Sequence, residues 1–324
     1  MGFRELGILF TLSTIIIPAL AIVASLACLL LARRAARRRA WVAVSVVLAL
    51  VALAVIGLRI YAGNIEPHRL VVRKVVITTD KVQEPLRILH VSDIQSAHVG
   101  SQERKLVDLI RRLKPDIVFN TGDILQPVPP ASFASEVPPL AKLLTSAHPP
   151  LGTYWVRGNL DGSLAAEEFD RATGMHLLEN EGIEVNAKGA KLRVYGMGLK
   201  QSLSKGGRAQ VREWLASSGP DEFNVLLVHY SGFLLKIDDL PVDLCLSGHL
   251  HGGQVRVPFI GPIITLDGFP RRWSRGFNRI GDLQANISAG VGCEHGPWLP
   301  SIRFNCPPEI TVIELVPRAA RAPD

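Results

Sequence analysis

The chain opens with two long stretches, residues 6–32 and 40–58, that carry no charged side chain. A bilayer core takes about 20 apolar residues of helix, and a single continuous segment can satisfy its backbone there only as a helix. The pair therefore reads as a two-helix transmembrane hairpin. Between the stretches lie Arg33, Arg34, Arg37, Arg38 and Arg39. A short Arg-rich loop stays cytoplasmic, which puts the rest of the chain on the non-cytoplasmic side. Arg59, Arg69, Arg73 and Lys74, after the second stretch, pull the other way. Trp41 and Tyr61 bracket the second stretch as interfacial aromatics do. Two other readings compete. A cleaved signal peptide is disfavoured because the first stretch is too long for one and a second stretch follows. Buried core helices are disfavoured by the length of the charge-free runs.

The net charge of +7 is concentrated in that Arg-rich loop, so nucleic acid is not an expected partner. The hydrophobic fraction, 48%, falls to an ordinary globular level once the two stretches are set aside. The reading divides the chain into a membrane anchor (1–63), a juxtamembrane segment (64–85), a globular domain (86–318) and a tail (319–324). The juxtamembrane segment holds a β-like run, 70–79, suited to a sheet edge. In the globular part, apolar runs predict strands over 87–93, 116–123, 152–159, 191–198, 223–229 and 242–249. Helical spacing predicts helices over 102–113, 134–146, 164–173 and 209–217, and the last strands fall at 284–289 and 309–316. Such alternation argues for α/β layers.

The polar residues fall where these strands end. Asp93, Asp123, Asn159, His229 and His249 each close a predicted strand, and His251 follows two residues later. Ligands of open α/β sheets bind beyond the carboxyl ends of strands. A single Asp there is usually a cap or a turn residue. Five such ends of mixed carboxylate, amide and imidazole type are not explained by caps, and they suit Mn, Fe or Zn better than Mg or Ca. Gly122, Gly158 and Gly248 each precede one of these residues and allow the backbone to come close to an ion or a phosphate.

These motifs resemble the calcineurin-like metallophosphoesterases, in particular their membrane-anchored bacterial branch. The family pattern D-x-H, G-D-x-x-D, G-N-H-[DE], a lone His and G-H-x-H is matched by Asp93-Ile94-Gln95, Gly122-Asp123-Ile124-Leu125-Gln126, Gly158-Asn159-Leu160-Asp161, His229 and Gly248-His249-Leu250-His251. The runs from Gly253 to Pro258 and from Cys306 to Ile310 also look like that branch. The resemblance implies a four-layer α-β-β-α sandwich. It implies two divalent ions bridged by Asp123, one completed by Asp93, Gln95 and His251, the other by Asn159, His229 and His249. It further implies hydrolysis of a phosphomonoester, phosphodiester or pyrophosphate by a metal-activated water, with Asp123, Asn159 and His249 closest to the chemistry. The membrane tether makes a lipid-linked substrate attractive. Asn159, Arg157 and His98 are the candidates for substrate contact.

Three positions depart from the family. Gln95 stands where a ligand His is usual, Gln126 replaces an Asp, and Leu160 replaces the His that stabilises the phosphate and protonates the leaving group. Loss of such an acid costs about 10²–10⁴-fold on poor leaving groups. A catalytically weak metal-binding scaffold or sensor is therefore the alternative function. His90 reads as a core residue. Glu294 and His295 are candidates to line the cleft. Cys293 and Cys306 could pair outside the cytoplasm. Arg271 to Arg279 is read as a basic-aromatic loop, either solvated or facing anionic groups.

Overall fold

The computed structural model describes residues 3–33, 37–163, 166–295 and 301–318. Arg34, the start of the helix expected from 164, and the tail 319–324 lie outside these residues. Helices α1 (Phe3–Ala32) and α2 (Arg38–Ile60) run side by side. Both are long and apolar enough to cross a membrane. Ser25 Oγ meets Ser45 Oγ at 2.8 Å, and Arg59 Nη1 donates to Thr14 Oγ1 at 2.8 Å, so two polar pairs tie the helices together. Their Leu, Ile and Val side chains face outward, with Leu20, Val23 and Leu53 among the most exposed. That outward apolar surface excludes the core-helix reading.

Past α2 the chain turns through Tyr61–Ile65 and Glu66–His68 into a mixed α/β body. The strands are β1 (Val71–Thr79), β2 (Leu86–Val91), β3 (Ile117–Asn120), β4 (Thr153–Trp155), β5 (His176–Leu177), β6 (Glu181–Ala187), β7 (Ala190–Met197), β8 (Glu222–Tyr230), β9 (Leu244–Gly248), β10 (Arg256–Val257), β11 (Gly261–Pro262), β12 (Gly276–Ile280), β13 (Leu283–Ile287) and β14 (Glu309–Pro317). They form two six-stranded sheets, ordered β1-β14-β2-β3-β4-β5 and β12-β13-β9-β8-β7-β6, plus the small β10–β11 hairpin. Strands β2, β3 and β4 are parallel, as are β7, β8 and β9, so each sheet delivers several carboxyl ends to one edge.

Side chains alternate across each strand, so the two faces of each sheet feed different cores. Ile88 and Phe119 of the first sheet pack between the sheets against Val225, Leu227 and Leu246 of the second. Leu89, Val118 and Trp155 face the other way, onto Leu106 and Ile110 of α3 (Ser101–Leu113), Leu140 of α4 (Phe133–Leu144) and Phe169 of α5 (Ala166–Thr173). The short helix α6 (Leu199–Leu203) leads into α7 (Gly207–Ala216), whose Val211 and Trp214 cover Leu226, Val228 and Cys245. These are the four layers implied by the resemblance.

The body is clamped to the two-helix hairpin. Arg303 N–H donates to Ala62 O at 2.9 Å, and the buried Glu66 carboxylate accepts from the N–H groups of Asn305 and Cys306. Phe10 of α1 packs against Val255, Ile264 and Ile302. The fully buried Arg303 guanidinium donates to the carbonyls of Ala289, Gly292 and Cys306, which satisfies a charge that would otherwise be very costly to bury.

Several sequence expectations need correction. The run 276–280 is strand β12, paired with β13, rather than loop; only its flank, Arg271–Trp273, is a short 3₁₀ turn. Strands β5 and β6 were not expected, because β6 is an edge strand with a charged, half-exposed pattern. The strand expected over 152–159 ends at Trp155, since the following residues leave the ladder to build a turn. Cys293 and Cys306 are free thiols, both against the Arg303 guanidinium.

Phe119 is fully buried between the layers. Phe119→Ala should lower stability by about 3–5 kcal/mol in urea unfolding of the full chain in detergent. A loss below about 1 kcal/mol would show that this face is not the core.

Candidate metal centre

The strand ends carry an unusual backbone. Asp93, Gln95, Asp123, His249 and His251 all have positive φ, between 43° and 70°. Side-chain-bearing residues in this region cost of order 1–3 kcal/mol each and persist only where surroundings dictate them. Here the loops after β2 and β3 continue the ladder: Asp93 N–H donates to Gly122 O, Gln95 N–H to Asp123 O and Ser96 N–H to Ile124 O, all at 2.9–3.0 Å. The Asp161 carboxylate then accepts three backbone N–H groups, from Asp123 at 2.7 Å, Ile124 at 2.9 Å and Gly158 at 2.8 Å. A side chain at Gly158 would run into the Asp123 carboxylate, so only glycine lets the two loops meet.

The result is a cluster of donors. Asp123 Oδ2 lies 3.3 Å from His229 Nε2, and Asn159 Oδ1 lies 3.1 Å from the same nitrogen. His229 Nδ1–H donates to Thr121 O at 2.7 Å, which leaves Nε2 facing the cluster. Donor atoms of Asp123, His229 and His249 all lie within 4.8 Å of one another and could hold a metal ion. Beside them, His251 Nε2 sits 3.5 Å from Asp93 Oδ1 and 3.1 Å from Gln95 Nε2. Asp93, Gln95, Asp123, His229 and His251 are buried, whereas Asn159 is exposed at the mouth.

The electrostatics ask for a cation. Burial pushes the Asp93 carboxyl up to about 7, with the Asp123 charge adding to it and His229 opposing. Burial would also raise Asp123, but His229 outweighs it and leaves that carboxyl below its ordinary value. Burial lowers His229, yet Asp123 and Asp93 more than reverse this and carry it to about 10. Burial and then the His229 charge hold His249 at about 4. A proton on His229 thus does, within protein groups alone, part of what a divalent ion would do better. Gln95 Oε1 is buried without a hydrogen-bond partner. The oxygen and nitrogen donor set fits divalent transition ions.

Behind the site runs a buried relay. Asn286 donates to His90 Nδ1 at 2.7 Å, which makes His90 Nε2–H the donor to Thr121 Oγ1 at 2.9 Å. Thr121 donates to Ser92, and Ser92 to Asp93 Oδ2. His90 is a satisfied core residue, as expected. His295 is also held structurally, its ring nitrogens on Cys293 O and Gln126 O.

Other sequence candidates separate. The Arg157 guanidinium donates to Asp161 O at 3.0 Å and pairs with Glu179 at 3.4 Å, an engagement that sequence alone does not show. His98 lines a cavity of about 350 Å³ together with Gln95 and with Pro67 and His68, which follow the second long apolar helix. Leu160 keeps one function of its position: its backbone N–H donates to Asp123 Oδ1 at 2.8 Å, whatever the side chain. Sequence reasoning missed Asp267, which bonds His249 Nε2 at 3.1 Å, and the contact of Glu294 with Gln95 at 2.9 Å. Asp267 sits in an irregular loop that offers no signal.

The profile of the calcineurin-like phosphoesterase family matches residues 86–253, more than half of the chain, and the chain belongs to that family. It is a metal-dependent hydrolase of phosphoric esters. It is 29% identical over 265 residues to the metallophosphoesterase YkuE of Bacillus subtilis, covering 79% of this chain and 88% of that one. It is 27% identical over 217 residues to the phosphodiesterase YaeI of Escherichia coli, covering 63% and 71%. Among solved structures, TT1561 of Thermus thermophilus superposes with a TM-score of 0.43 at 14% identity, covering 64% of this chain and 90% of that one.

Burial lowers His90 from 6.5 to about 3. Because the folded value lies below the unfolded one, the stability this contributes is present above pH 6.5 and is lost as pH falls from 6.5 toward 3. Going from pH 7.5 to 5 should cost about 2 kcal/mol through this residue. In chelator, His90→Gln should flatten the unfolding-versus-pH profile of the full chain by that amount. An unchanged slope would show that His90 is not buried neutral.

Proposed function

We propose that the chain hydrolyses a phosphoric ester or pyrophosphate carried by a membrane lipid, using two divalent ions of Mn, Fe or Zn. One observation carries the reading: Asp123, His229 and His249 converge within 4.8 Å, and the Asp93–His251 pair adjoins them. Asp123 would be shared by the two ions. Asp93, Gln95 and His251 would serve one ion, and Asn159, His229 and His249 the other. Such a pair, when bound, supplies an activated water and neutralises charge on the phosphoryl oxygens.

The chain's own groups do the rest. Asp161 fixes the turn that carries Asn159, whose exposed amide stands at the mouth and can donate to a phosphoryl oxygen. His229 is kept in one tautomer by Thr121. His249 is steadied by Asp267. Leu160 offers no proton, so departure of the leaving group relies on a stable leaving group or on solvent. Arg157, tied to Asp161 and Glu179, acts on the substrate through that turn, and His98 stands in the adjoining cavity.

A lipid-linked substrate is supported by where that cavity lies. Its wall joins Gln95 to Pro67 and His68, the residues just after the second apolar helix. Nearby, the hairpin between β10 and β11 carries Phe259 fully and Ile260 largely out into solvent, while Val255 and Ile264 at its base pack with Phe10 of α1. An apolar tip continuous with a membrane helix suits the surface of a bilayer. The Arg-rich loop supports a non-cytoplasmic site.

The alternative, a metal-binding envelope scaffold or sensor, draws on Leu160 and Gln95. Full-length protein in detergent, given Mn²⁺ and an activated aryl phosphodiester, separates the two. Turnover should disappear with chelator, return with Mn²⁺ and fall to background in Asp123→Asn. Bound metal without turnover in the wild type would favour the scaffold. Leu160→His should raise turnover of alkyl phosphodiesters, which leave poorly, by roughly 10²-fold while changing activated substrates far less. Equal effects on both would show that this position has no part in leaving-group departure.

A further inference from the structure

Two of the three departures from the family pattern meet on one carboxylate. Gln95 Nε2 donates to Glu294 Oε2 at 2.9 Å, and Gln126 Nε2 donates to Glu294 Oε1 at 3.0 Å. The Glu294 backbone N–H donates to Gln254 Oε1 at 2.9 Å. Both oxygens and the main chain of Glu294 are therefore held. Its Oε2 lies 3.9 Å from His251 Nε2, which in turn lies 3.5 Å from Asp93 Oδ1. Two donors bound to one ion at about 2.0–2.2 Å each stand roughly 3–4 Å apart, and both separations fall in that range.

We propose that Glu294 is a ligand of the ion held by Asp93 and His251, supplying the donor that an imidazole at position 95 would give. This rests on the two-ion reading above. Gln95 shows where the ion goes. Its amide nitrogen bridges His251 Nε2 at 3.1 Å and Glu294 Oε2 at 2.9 Å, so two acceptors converge on one positive group. Its carbonyl oxygen, buried, has no hydrogen-bond partner. Turning the amide end for end removes the N–H bridge and brings that oxygen to the same point, a geometry favourable only around a cation. Gln126 stays on the other carboxylate oxygen and aims it. The replacement of an imidazole and an Asp by two amides and one Glu thus becomes a single exchange. The resulting shell of Asp93, Asp123, Gln95 and Glu294 oxygens with the His251 nitrogen is oxygen-rich, which favours Mn²⁺ over Zn²⁺ at this position.

The test is Mn²⁺ binding to chelator-stripped full-length protein in detergent, read by calorimetry and by the spin-resonance signal of the free ion. The wild type should bind two ions per chain. Glu294→Gln should keep one and bind the second at least tenfold more weakly, with an unchanged melting temperature in chelator. Glu294→Asp, a smaller change at a partly exposed side chain, should weaken the second ion to an intermediate degree. Gln95→His combined with Glu294→Gln should restore the second ion and shift its preference toward Zn²⁺. If Glu294→Gln or Glu294→Asp binds both ions within twofold of wild type, Glu294 is not a ligand, although the two-ion reading stands. Should the wild type bind no Mn²⁺ or Zn²⁺, the two-ion reading itself falls and takes this inference with it.

Discussion

The Asp161 carboxylate is the contact on which the site depends. It accepts the N–H groups of Asp123, Ile124 and Gly158, so one side chain fixes both the turn after β3 and the turn after β4. Burial and the neighbouring Asp123 charge hold its own carboxyl above the usual range, which marks how much local order is set against electrostatic cost. Without it, the left-handed backbone at Asp123 would have little to keep it there, and Asn159 would have no fixed relation to His229. The residue touches no donor-cluster atom directly; it acts by deciding where the cluster's backbone can be.

Much of the architecture could be read in advance, for a simple reason. Strands buried on both faces leave long apolar runs, and the first polar residue after each run marks the edge of the sheet. Asp93, Asp123, His229 and His249 were legible in this way because burial pattern and chemistry changed at the same position. Short or edge strands were not legible. Strand β12 was hidden by Arg275 and Arg279, and β6 by its alternating charges, because a half-exposed strand resembles a polar loop. Strand β4 was overextended because Val156 remains buried after the ladder ends.

Side-chain partnerships were the least accessible. Gln95 and Glu294 are separated by 199 positions, and Gln126 and Glu294 by 168, and nothing local at any of the three announces the others. Read singly, Gln95 and Gln126 are losses from a motif. Seen together around one carboxylate, they are parts of a different arrangement of charge. Arg157 shows the opposite case: its position beside the motif suggested a phosphate contact, but Asp161 and Glu179 engage it.

The clamp between hairpin and body has a practical consequence for dissecting the protein. The amides of Asn305 and Cys306 find their acceptor in Glu66, and Arg303 N–H finds its acceptor in Ala62, both upstream of the first strand of the sheet. A fragment trimmed to begin at β1 would leave these donors without their acceptors, next to the carbonyls of Ala289 and Gly292 that the Arg303 guanidinium holds. The two-helix apolar hairpin and the hydrolase domain are thus not beads on a string. The shortest faithful form of the hydrolase domain therefore has to retain residues 61–68, the two turns that follow α2.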